Sequence, residues 1–124
     1  MGKTPYQIRV QASGSASNQT VYGDKIPPGK VAVIESLSAY IFTTAFGDYT
    51  TQKFIFLGFE HEGQNCLVEG EDINASNTMR AVVSVKTPIV LNEGDRVLAY
   101  IEATSTSQTY VLVGTGYLVD EGEF

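Results

Sequence analysis

Alternation, rather than any helical repeat, is the feature that most constrains this chain. Tyr6, Ile8, Val10 and Ala12 alternate with Gln7, Arg9 and Gln11, and a period of two puts the first set on one face of a strand and the second on the other. The same rhythm recurs in "NTMRAVVSVKT" (77–87), in "LNEGDRVLAYIEATST" (91–106) and in "QTYVLVGTGYLVD" (108–120). Small polar or Gly/Pro-rich stretches punctuate these runs, among them "ASGSASNQ" (12–19) and "GDKIPPGK" (23–30); consecutive prolines deny a strand the donors it needs for a ladder. No segment shows a convincing 3.6-residue repeat.

Two runs carry more detail. In "KVAVIESLSAYIFTT" (30–44) the apolar phase of Val31, Val33, Leu37, Ala39 and Ile41 also contains Glu35, so a bulge near Ile34–Ser36 is expected to turn Glu35 outward. "KFIFLGF" (53–59) is apolar on both phases, as expected of a strand covered on both sides by a second sheet or by a neighbouring subunit. The pattern predicts an all-β chain: an antiparallel β-sandwich, specifically a jelly roll of about eight strands. With no internal repeat and no linker, residues 1–124 are expected to form one domain with N- and C-terminal arms that order on contact.

Composition removes several function classes. Eight basic residues are scattered against fourteen acidic ones, for a net charge of −6, which speaks against a nucleic-acid partner because phosphate binding draws on clustered Lys and Arg. No apolar run approaches the roughly 18 residues of a membrane span, and "MGKTPYQIRV" lacks a signal-peptide core, so neither membrane nor targeting segment is expected. The single Cys rules out an internal disulfide framework.

"FEHEGQNCLVEGED" (59–72) holds the only His and the only Cys and is where chemistry would be sought first. His61 and Cys66 lack the company that a zinc site needs, and a nucleophilic pair would need an orienting third group. A Gly in a short polar link between two apolar runs instead predicts a β-hairpin with His61 and Glu62 at its tip, and Cys66 as a small hydrophobe. Beyond it, Glu69, Glu71, Asp72 and Asn74 are calcium candidates, since they offer hard oxygen ligands, though in no EF-hand pattern. No serine sits in a G-x-S-x-G elbow. The glycines of "GTGYLV" (114–119) lack a third Gly and a following helix, and mark close backbone approach rather than a phosphate cradle. These absences lead to the expectation of no catalytic residue, no cofactor and no enzymatic activity.

"IPPGKVAVIESLSAYI" (26–41), "LNEGDRVLAYIE" (91–102) and "GTGYLVD" (114–120) add a resemblance. The last two resemble the closing strands of trimeric jelly rolls of the complement and tumour-necrosis-factor type; the first resembles the strand entry of small jelly-roll proteins of bacteria and tailed phages. For an acidic, free-standing domain this resemblance implies a capsid decoration (cement) protein: a homotrimer on the virion surface, bound to the major capsid protein or another virion protein and assembled in the host cytoplasm. It implies interface residues near the two termini, for which Pro5, Tyr6, Tyr117 and Phe124 are the candidates. The alternative is a tail accessory module that binds a glycan or host surface through loop tyrosines.

Overall fold

The computed structural model describes residues 2–13, 18–43, 54–72, 80–85, 87–102 and 108–123. Its strands are β1 (Thr4–Ser13), β2 (Gln19–Tyr22), β3 (Lys30–Thr43), β4 (Phe54–His61), β5 (Gln64–Asp72), β6 (Arg80–Ser84), β7 (Ile89–Leu91), β8 (Arg96–Ile101) and β9 (Gln108–Asp120), followed by a 3-10 turn at Glu121–Glu123. No α-helix occurs among the described residues.

The strands form two antiparallel sheets, one in the order β1-β9-β3-β6 with β7 also paired to β3, the other in the order β2-β8-β4-β5. β6 lies against residues 38–42 of β3 and β7 against residues 32–34, so the two together act as one strand, interrupted where Pro88 cannot donate to a ladder. Counted that way there are eight strands, and their pairing is nested: first with last (β1·β9), then β2·β8, β3·β6/β7 and β4·β5. A long hairpin of four nested pairs rolled so that β9 also meets β3, and β8 meets β4, is a jelly roll. The all-β jelly-roll sandwich expected from alternation is therefore the observed architecture.

Apolar phases supply the layer between the sheets. Ile34, Leu37, Ile55, Leu57, Leu91, Val97, Ile101 and Leu112 are essentially sealed from solvent, and each such side chain contributes about 1.5–3 kcal/mol by leaving water. The expected bulge is present: Ile34 pairs with Gly116 and Ser36 with Thr115, leaving Glu35 as the extra, exposed residue. Gly116 permits it, because a Cβ there would stand 1.9 Å from the Val33 carbonyl oxygen. At the far end of this ladder Lys30 forms an ion pair with Asp120, and the Glu121 amide donates to the Gly29 carbonyl at 2.9 Å.

β4 and β5 carry a second bulge that alternation does not reveal. Leu57 pairs with Glu69 but Gly58 with Leu67, so Val68 is the extra residue. Gly58 plays the part of Gly116, since its Cβ would fall 1.9 Å from the Cys66 carbonyl oxygen. Both bulges thus rest on a glycine in the facing strand.

Candidate functional site

The stretch with the rarest residues folds as a hairpin. His61 pairs with Gln64, and the two turn residues Glu62 and Gly63 have φ of 51° and 80°, the doubly positive pattern of a type I′ turn, whose twist matches that of the flanking strands. The tip is pinned from the side by the turn that enters β8. There Asp95, only 5% exposed, accepts the Asn92 amide at 3.0 Å, and its other oxygen lies 2.7 Å from His61 Nδ1. The hydrogen bond to Asp95 is the main cause that raises the His61 pKa above its ordinary 6.5, and the charges of Asp95 and then Glu62 act in the same direction against a partial desolvation.

One residue on, Arg96 donates to both carboxylate oxygens of Glu60, at 2.9 and 3.2 Å, and its guanidinium lies 3.6 Å from the centre of the Tyr22 ring. The fork of hydrogen bonds, followed by the charges of Arg96 and Lys25, holds the Glu60 carboxyl below the usual carboxylate range. Lys25, Glu60, His61, Asn92, Asp95 and Arg96 are among the residues around an open cleft of about 580 Å³ at this end of the sandwich. A carboxylate that orients an imidazole is half of a nucleophile-activating device; among the described residues the cleft lining holds no hydroxyl or thiol beside it. The cluster also ties the β4–β5 hairpin to the β7–β8 turn. Cys66 is an exposed free thiol on β5, opposite Phe59, outside the cleft lining.

The other site residues expected from sequence are dispersed. Glu69 is half-buried on β5; Glu71 and Asp72 occupy the end of that strand, paired with Ile55 and Phe54; Asn74 lies outside the described residues, as does Phe124. Among the described residues no group of three or more His, Cys, Asp or Glu is placed to hold a metal ion. Pro5 and Tyr117 are brought together as direct cross-strand partners, and Val33 and Val90 continue the same row across the sheet. Lys3 Nζ stands 4.3 Å from the centre of the Tyr117 ring. Tyr6 belongs to the opposite phase and packs against the core, its hydroxyl donating to the Asp24 carbonyl at 3.4 Å; burial, then the Asp24 charge, pushes its pKa up.

Sequence reasoning missed Asp95, the Glu60–Arg96–Tyr22 stack and the apolar edge of the second sheet. Asp95 had a signal in the Asn92-x-Gly94-Asp95 turn, where the Asp95 amide donates back to the Asn92 carbonyl at 3.1 Å. The edge had none, because it depends on which strand comes last in the sheet. That strand is β5, and on it Leu67 and Val68 are 47% and 42% exposed. With Phe56, whose ring lies so close to Gly70 that a Cβ there would stand 2.6 Å away, they line an open hollow of about 320 Å³.

Comparison with known proteins reaches the fold. No family model matches the chain, and no curated protein matches it. Among solved structures it is similar to a subunit of Bacillus endospore appendages, described as a family of disulfide-linked pili, at 15% identity and a TM-score of 0.52, over 97% of this chain and 93% of that one. It also aligns with dimeric latent PorU from Porphyromonas gingivalis at 10% identity and a TM-score of 0.47, over 94% of this chain and 13% of that one.

Proposed function

We propose that this chain is a non-enzymatic structural subunit, a jelly-roll building block of a virion that decorates the capsid lattice as a homo-oligomer, a trimer in the first instance, bound to the major capsid protein. The observation that carries this reading is the solvent-exposed edge of β5, where Leu67 and Val68 stand 47% and 42% exposed beside the Phe56 hollow. Soluble sheets normally protect such an edge with charge, proline or a covering loop; β5 is acidic toward its end, but its bulge displays apolar side chains, and such a patch is suited to burial in an assembly. The assembly of the endospore appendage protein into pili supports the same broad role for a jelly roll of this size. The experiment is mass spectrometry of intact purified particles together with co-sedimentation of the purified protein on shells lacking it. Stoichiometric recovery with the capsid is expected; particles without the protein, and shells that fail to retain it, would sink the reading.

A further inference from the structure

The two long sheet edges of this jelly roll are complementary, and we infer that copies join head to tail by laying β5 of one against β1 of the next. This deepens the reading of the chain as an assembling subunit and rests on it. β5 and β1 are the outer strands of different sheets, so one copy can use both at once, each toward a different neighbour. Their lengths match, nine residues against ten. Their charges are opposite: β5 carries Glu69, Glu71 and Asp72 with no basic residue, whereas β1 carries Arg9 with no acidic residue, and Lys3 directly precedes it.

In parallel register, two β5 strands would set Glu69 against Glu69 and two β1 strands Arg9 against Arg9, and like charges across a strand pair are destabilising. A parallel β5·β1 pairing that overlaps residues 64–72 with 4–12 sets Glu69 opposite Arg9 instead. The individual groups are available for it: Arg9 is exposed and donates only to Gln11 Oε1, at 3.4 Å, among the described residues, and Glu69 has no ion pair among them. Backbone bonds along an edge with pockets for alternate side chains are the usual anatomy of strand addition. Because the interface uses two different patches, it closes into a ring, the trimer being one case, or runs on as a filament.

The test uses two blocked variants of the full chain. Leu67→Lys/Val68→Lys places charge on the β5 edge, and Arg9→Glu reverses β1. All these side chains are exposed, and a thermal melt matching wild type checks that each variant folds. Size-exclusion chromatography with light scattering should show wild type oligomeric and each variant alone monomeric, with self-affinity weakened at least about tenfold. An equimolar mixture of the two should give a dimer and nothing larger, since each pair retains one intact β5·β1 contact. The double exchange Arg9→Glu/Glu69→Arg in one chain should restore the oligomer. A wild-type protein that stays monomeric at high concentration, an oligomer untouched by both variants, or an Arg9→Glu variant that still dimerises by itself would overturn the inference. Failure here leaves recovery of the protein on particles as a separate measurement, so loss of this interface and loss of the virion role are told apart.

Discussion

Replacing Gly116 by Ala tests whether the β3 bulge is fixed by close backbone approach. The added methyl would stand 1.9 Å from the Val33 carbonyl oxygen and 2.9 Å from Ile34 Cα, where real Cβ contacts do not fall below 3.0 Å. The backbones must therefore part locally by about 1 Å. β3 cannot simply swing away, since β9 holds it on one side and β6 and β7 on the other. One ladder group left without its partner costs about 1–3 kcal/mol, and the overpacking a further ~1–3 kcal/mol. Together they predict a loss of about 2–6 kcal/mol, which for a domain of this size lowers the melting temperature by roughly 10–20 °C. Differential scanning calorimetry reads it directly, with Gly122→Ala as the control, because a Cβ at Gly122 meets nothing within 4 Å. Gly58→Ala, with the same 1.9 Å clash against Cys66, should cost less, since edge strand β5 is free to move outward. A Gly116→Ala protein melting within about 2 °C of the Gly122→Ala control would falsify the reasoning, and so would a Gly58→Ala variant less stable than Gly116→Ala.

Further outcomes follow from the core and the charged cluster. Leu57→Ala, at a site with no solvent exposure, should lose about 2–5 kcal/mol, seen as a lower urea midpoint at unchanged slope. An NMR titration should find the His61 pKa above its ordinary 6.5, with Asp95→Asn returning it toward that value. Because the folded-state pKa is the higher one, the stabilisation from this pair is full below the unfolded-state value and is lost as pH rises through the folded one. Glu60 behaves oppositely: its depressed pKa makes its contribution present above the ordinary carboxylate value and lost as pH falls through the folded one. Arg96→Ala should bring the Glu60 carboxyl back up, which carboxyl-carbon chemical shifts would report.

Much of the fold was legible because strand alternation is a local property. The phase of Tyr6, Ile8 and Val10, the "HEGQ" hairpin and the Glu35 bulge are each written within a few residues of sequence, and each is found in the structure. The β4–β5 bulge was not legible, since its extra residue is Val68 and an apolar residue leaves no phase error of the kind that betrayed Glu35. The charged cluster was invisible for another reason: His61 and Asp95 are 34 positions apart, and Glu60 and Arg96 are 36 apart, so only the pairing of β4 with β8 brings them together. Pro5 and Tyr117 were picked out separately, yet their being partners depends on the first strand closing on the last.

The fate of each sheet edge bears on why this jelly roll should assemble. A sheet that remains solitary shortens, interrupts or charges its outer strands. β2 is four residues long, and the β6/β7 edge is broken around Pro88, so these two edges are protected by ordinary means. β1 has a proline near its start and β5 a bulge, and in another chain either device would also be read as protection. The side chains say otherwise for β5. A bulge that protects an edge gains from carrying a charge outward, whereas the β5 bulge presents Leu67 and Val68, 47% and 42% exposed. Burying those two groups recovers hydrophobic free energy only when a partner covers them. A bulge that bends the strand yet displays apolar groups is costly in a monomer and useful in an interface, where it shapes a hollow that accepts a complementary residue.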